Sequence, residues 1–130
     1  MEIKFETETF EMEFEVKEED SAAFLGSGDV GVLSTPAMIN MMENTARIFT
    51  QKYLTGDWTT VGTQVCIKHL RPAPIGAKVR VVATIKEIDG KRLNFQVQAY
   101  WNDKLLGEGT HERYIVDKIK FLEKLKQQIS

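Results

Sequence analysis

Few side chains in this sequence are equipped for chemistry. Glu43, His69 and Thr35 draw notice by position, and Cys66, His111 and Arg113 by type. Glu43 lies four residues after Ile39 and three before Ala46, in a run where Ile39, Met42, Ala46, Phe49 and Tyr53 recur at spacings of three and four. Helical geometry therefore sets a carboxylate inside an apolar stripe. Such a group is either an edge residue paired with Arg47 one turn on, or a half-buried carboxylate available as a general base. Spacing does not separate the two.

His69 ends an alternating stretch in which Thr63, Val65, Ile67 and His69 point one way and Gln64, Cys66, Lys68 and Leu70 the other. Its companions are largely apolar, so the imidazole is expected on the inner face, as a structural histidine or as a group for proton transfer near neutral pH. Cys66 falls on the opposite face. That argues against a Cys66–His69 nucleophilic dyad and leaves the cysteine as a small apolar residue. Thr35 followed by Pro36 reads as the N-cap and first-turn pair of a helix. The same hydroxyl would lie in the positive field of a helix start, near amides able to hold a carbonyl oxygen or phosphate. His111 and Arg113, two apart in a late strand, share a face expected to be solvated. Two histidines and scattered acids offer no metal-ligand spacing, and Gly26 to Gly31 (GSGDVG) lacks the spacing and flanks of a phosphate-binding fingerprint.

The elements that must position these groups follow from periodicity. Phe10, Met12, Phe14 and Val16 alternate with Glu11, Glu13, Glu15 and Lys17, the pattern of a strand with one wet face. Residues 20 to 34 hold three glycines and read as irregular, with a short helical turn around Ala22 to Leu25. A helix is predicted from Pro36 to about Tyr53, then strands at about 60 to 70, 77 to 88, 91 to 102 and 104 to 116. Asp117 is placed to cap a last helix whose Ile119, Leu122, Leu125 and Ile129 share a face. For the turn at Asp89-Gly90, a three-residue loop ending in a left-handed Gly90 pairs 87 with 91. It then sets Val79, Val81, Ala83 and Ile85 on one face with Leu93, Phe95, Val97 and Ala99, packed on the long helix. One helix against a curved antiparallel sheet is the α+β outcome.

Length and composition bound the rest. The chain has 130 residues, enough for one domain that buries about two-thirds of its unfolded surface. A net charge of −2 gives no general attraction for nucleic acid. The lone Cys66 excludes an intrachain disulfide and fits a reducing compartment. The acid-rich first twenty residues are opposite in character to a signal peptide, and no apolar run approaches the ~20 residues that span a bilayer. A cytoplasmic protein, bound neither to nucleic acid nor to a membrane, is expected.

Taken together, Gly28, Val32-Leu33-Ser34-Thr35-Pro36, Met42-Glu43, Val61-Gly62-Thr63, His69-Leu70, Pro74, Gly76, Asp89-Gly90 and Gly109-Thr110-His111-Glu112-Arg113 carry a resemblance. In order and spacing they resemble the hotdog-fold acyl-CoA thioesterases of the fluoroacetyl-CoA thioesterase type, from about residue 15 to 121. The resemblance implies a single hotdog domain over residues 1–130, with a long central helix wrapped by a curved antiparallel sheet. It implies a homodimer, alone or as a dimer of dimers, with two active sites at the interface. Thr35, Glu43 and His69 would be the catalytic group, Gly62 would lie beside the thioester carbonyl, and Arg113 would line or gate the site. No cofactor is implied beyond the CoA of the substrate. The segment ahead of the helix offers only Phe24 where the fluoroacetyl type has several phenylalanines, so a small or medium acyl group is expected over a fluorinated one. The rival reading is a non-catalytic acyl-CoA-binding or dimeric scaffold module. A hotdog enoyl-CoA hydratase would need an Asp and His arrangement that this sequence does not offer.

Overall fold

The computed structural model describes residues 2–129. Its elements are β1 (Thr9–Glu15), a 3-10 turn (Glu18–Asp20), α1 (Ala22–Leu25), α2 (Thr35–Gln51), β2 (Trp58–His69), β3 (Lys78–Asp89), β4 (Arg92–Trp101), β5 (Lys104–Asp117) and α3 (Lys118–Ile129). The strands form one antiparallel sheet in the order β1-β3-β4-β5-β2. α2 lies along its inner face, so the architecture is the expected α+β arrangement.

Burial explains why α2 forms where it does. Met38, Met42, Ala46 and Phe49 are buried, and so are Val79, Val81 and Ala83 of β3 and Leu93, Phe95, Val97 and Ala99 of β4. The buried threonines of the helix cost little, because Thr45 and Thr50 each donate to the carbonyl four residues back at 2.8 Å. Ile39 and Glu43 lie at the edge of this stripe rather than at its centre. The N-terminus corrects the expectation for Thr35. Helix α2 begins one residue earlier than predicted, and Ser34 is its cap, with Oγ accepting from the Ala37 amide at 3.1 Å. Thr35 stands at the first helical position, its hydroxyl not used in the cap.

The β3–β4 faces are as predicted, but the turn is not. Asp89 pairs with Arg92, so the loop is the two residues Gly90 and Lys91, with Gly90 at φ +61°. Positive φ at the first loop residue alone is the type II′ pattern. The parity that a third loop residue would supply comes instead from a bulge between Ile85 and Glu87, beyond which Ile85 pairs with Phe95 and Val81 with Ala99.

A second bulge, between Gly62 and Gln64, interrupts β2. Gly62 pairs with Arg113 and Gln64 with Glu112, leaving Thr63 as the extra residue. Thr63 is therefore not on the inner face with His69, as simple alternation would have it. It is exposed and its hydroxyl binds Glu112. Cys66 does lie opposite His69, but it is solvent-exposed, not packed as a small apolar group. At the C-terminus Asp117 caps α3 by accepting from the Lys120 amide at 3.1 Å. The shared face of Ile119, Leu122, Leu125 and Ile129 is exposed in this chain. No helix among the described residues is long and apolar enough to cross a membrane.

The capping geometry has a measurable consequence. Ser34→Ala should lower stability by about 1 kcal/mol in urea unfolding. Thr35→Ala leaves the cap in place and removes only a side-chain hydrogen bond, a loss of about 0.5–1 kcal/mol.

Candidate active site

Two clusters of functional side chains face the same side of the sheet. The first is at the start of α2 and the end of β2. Thr35 Oγ1 and His69 Nδ1 are 2.8 Å apart. The strand end is pinned beneath them, because the amides of Leu70 and Arg71 both bond the Leu106 carbonyl and the Arg71 guanidinium donates to the Leu105 carbonyl at 2.8 Å. His69 Nε2 is buried and has no hydrogen-bond partner among the described residues. Burial lowers the imidazole's pKa below its ordinary 6.5, with the nearby Arg71 backbone partly offsetting the shift. The shift favours the neutral ring. Beside it lies a cavity of about 240 Å³ lined by Val32, Leu33, His69, Leu70, Arg71 and Pro72.

The second cluster is built around Glu43. Its side chain is 39% exposed and its ionic partner is Arg113, with Oε2 to Nη1 at 3.9 Å. Arg47 instead bonds Asn44, so the expected pairing one turn on is not the one made. Gly62 lies beneath the carboxylate. A methyl group built there would sit 2.8 Å from Glu43 Oε2 and 3.4 Å from both Arg113 Nη1 and His111 Cε1. Only glycine leaves that space open.

His111 and Arg113 correct the expectation of a solvated face. They are 2% and 5% exposed, because β5 lies between β4 and β2 and turns these positions toward α2. A buried guanidinium must have its donors satisfied. Arg113 Nε donates to Thr60 Oγ1 at 2.8 Å, Nη2 to the Thr60 carbonyl at 3.1 Å, and Nη1 lies 3.2 Å from His111 Nε2. His111 Nδ1 is 2.8 Å from the Gln64 carbonyl. Burial lowers the pKa of both side chains. No residue pattern in the sequence marks Thr60 or Gln64 directly. The available signal was the glycine inside an otherwise regular strand, which often marks a bulge.

Between the clusters the inner face of β5 carries no side chains at Gly107 and Gly109. A Cβ at Gly107 would run into Met38, and one at Gly109 into the Cys66 carbonyl. Within one chain the clusters do not meet: positions 35 and 43 are about 12 Å apart along the helix. A larger hollow of about 410 Å³ between β1 and α2 is rimmed by Glu13, Glu15, Glu19 and Asp20 against the single cation Lys17. Its carboxylates would repel an anionic ligand, and it holds no histidine.

Comparison with known proteins identifies what this arrangement belongs to. The family model described as fluoroacetyl-CoA-specific thioesterase (FlK) matches residues 16–119. The fluoroacetyl-CoA thioesterase of Streptantibioticus cattleyicolor is 32% identical over 97 residues, covering 75% of this chain and 70% of that protein. The solved structure of the fluoroacetyl-CoA thioesterase FlK is similar at a TM-score of 0.86 and 28% identity, over 92% of this chain and 93% of that one. A Thermus thermophilus protein described as a thioesterase superfamily member has 31% identity and a TM-score of 0.84, over 93% and 89% of the two chains. A hot-dog-like protein from Thermanaerovibrio acidaminovorans, at 20% identity, shares the fold, with a TM-score of 0.86 over 94% and 90%. The match to the family covers most of the chain and the architecture is that of its solved members, so this protein belongs to the fluoroacetyl-CoA-specific thioesterase family and is a hotdog-fold thioesterase.

Proposed function

We propose that the protein hydrolyses a small or medium acyl-CoA thioester to the free acid and CoA, with Thr35, Glu43 and His69 as its catalytic group and no cofactor beyond the CoA of the substrate. The observation that carries this reading is the state of His69. The lowered pKa favours the neutral ring, with one nitrogen on Thr35 and the other buried near the Arg71 backbone without a well-formed hydrogen bond among the described residues. If the Thr35 hydroxyl donates to Nδ1, then Nε2 carries the hydrogen, and a thioester entering the neighbouring cavity would take that hydrogen bond on its carbonyl oxygen by uncovering the buried atom. Glu43 removes a proton from water, the water oxygen bonds the carbonyl carbon, and the carbon–sulfur bond breaks to release the CoA thiolate, which takes up a proton. Direct attack by Glu43, with an anhydride hydrolysed afterwards, uses the same groups. Gly62 leaves room for the thioester beside the carboxylate, and Arg113 compensates its charge. Thr35 thus acts on His69 rather than on Glu43.

The separation of the clusters supports a homodimer. β2 is a long strand paired on one side only, and exposed from Gly62 to Cys66, whereas the opposite edge strand β1 is short and carries Glu11, Glu13 and Glu15. Unprotected edges of this length pair with another chain. Antiparallel pairing of two β2 strands about Cys66 preserves the inner face and, because of the bulge at Thr63, sets Gly62 level with the partner's His69. Glu43 of one chain would then work with the Thr35–His69 pair of the other. Phe24, the one phenylalanine ahead of the helix, is 65% exposed and encloses nothing, which favours a small or medium acyl group over a fluorinated one.

Purified protein assayed with a series of short acyl-CoAs should show turnover that falls about 10²-fold or more in Glu43→Ala and in His69→Ala. Unchanged rates in both would remove the assignment. Because burial holds His69 below its ordinary pKa, it donates as a neutral ring through neutral pH, and because the charged ring formed at lower pH keeps its Nε2 hydrogen, His69 by itself should add no acid limb to kcat/KM.

The pairing register is separately testable. Mild oxidation should link the protein into a covalent dimer through Cys66, an effect absent in Cys66→Ser. A monomer by light scattering would sink the shared site.

A further inference from the structure

We propose that His111 is a positioning residue for the hydrolysis, holding Arg113 in the one orientation that serves Glu43 and Gly62. The inference rests on the reading of Glu43 as a catalytic group and goes beyond it.

The hydrogen-bond chemistry leaves His111 one productive state. Arginine can only donate, so the contact between Arg113 Nη1 and His111 Nε2 at 3.2 Å requires a lone pair on Nε2. The backbone carbonyl of Gln64 can only accept, so the contact at 2.8 Å requires a hydrogen on Nδ1. Both partners select the same neutral tautomer. Thr60 holds the far side of the guanidinium through Nε and Nη2. The planar group is therefore fixed at three of its nitrogens, and Nη1 is directed at Glu43 Oε2 and at the space above Gly62. The Gln64 carbonyl, which sets the tautomer, belongs to the first residue after the β2 bulge.

Protonation would undo the arrangement. A charged His111 presents a donor to a donor, beside a cation. The groups facing it are Arg113 and Glu112 on β5, Glu43 on α2, the Gln64 carbonyl on β2 and the neutral Phe95 ring on β4, 6.4 Å away. Burial and Arg113 oppose its charging, which keeps the neutral form through neutral pH.

Two substitutions divide the role. His111→Asn keeps a donor near the Nδ1 position, for Gln64, but loses the acceptor for Arg113. His111→Gln offers an acceptor near the Nε2 position. The expected result is a fall in kcat of about 10- to 100-fold in His111→Asn with KM little changed, and near-wild-type kcat in His111→Gln. The acid limb of the kcat profile should be less steep by one proton in His111→Gln, since the amide cannot titrate. Thermal melts of both variants, compared with wild type, register any loss of folding separately. Equal kcat in His111→Asn and wild type, with Glu43→Ala inactive, would overturn the positioning role alone. Full activity in Glu43→Ala would overturn the reading on which it rests.

Discussion

Thr63 adds one residue to β2 between the pairings of Gly62 with Arg113 and Gln64 with Glu112, and both halves of the site depend on that insertion. Before it, the inward positions are Thr60 and Gly62. After it they are Val65, Ile67 and His69. A regular strand starting from Thr60 would turn Cys66 and Lys68 inward and send His69 to solvent. The bulge thus lets one strand present a glycine floor under Glu43 at one end and an imidazole at the other. It also supplies the carbonyl that orients His111. Its local cost is one unpaired residue, whose hydroxyl is taken up by Glu112.

Where a segment's environment is determined by its own period, the sequence is a reliable guide. The alternation of Phe10, Met12 and Phe14 with glutamates and the apolar faces of β3 and β4 were all legible, as were the Asp117 cap and the left-handed Gly90. The β3–β4 turn shows where that ends. Parity demanded one extra residue somewhere between Ile85 and Phe95, and a bulge at Lys86 satisfies it as well as a longer loop does. Pattern counts residues along two strands without saying where the surplus lies.

The site was legible by residue type and less so by environment. His69 was placed on the inner face correctly because all its apolar companions after the bulge share its parity. Thr35 was assigned to the cap because serine and threonine are interchangeable there, and only the helix start decides between neighbours. His111 and Arg113 were read as solvated because burial of a strand face depends on what flanks it in the sheet. β5 is internal, between β4 and β2, and its neighbours come from distant parts of the chain. A polar pair at inward positions is tolerated only when its donors are matched one by one, which no local pattern reveals.

Arg113 and Glu43 differ sharply in their access to solvent. The guanidinium is almost completely buried and braced by Thr60 and His111, so its charge cannot be screened by moving into water. Glu43, at the rim of the helix stripe and 39% exposed, still exchanges with solvent. An exposed carboxylate 3.9 Å from a cation gains little from it, because water screens the pair. Covering the rim, whether by substrate or by the proposed partner's β2, would remove that water and strengthen the interaction several-fold without moving either residue. A fixed, buried positive charge beside a carboxylate at the rim would confine the strongest interaction to the state in which the rim is covered.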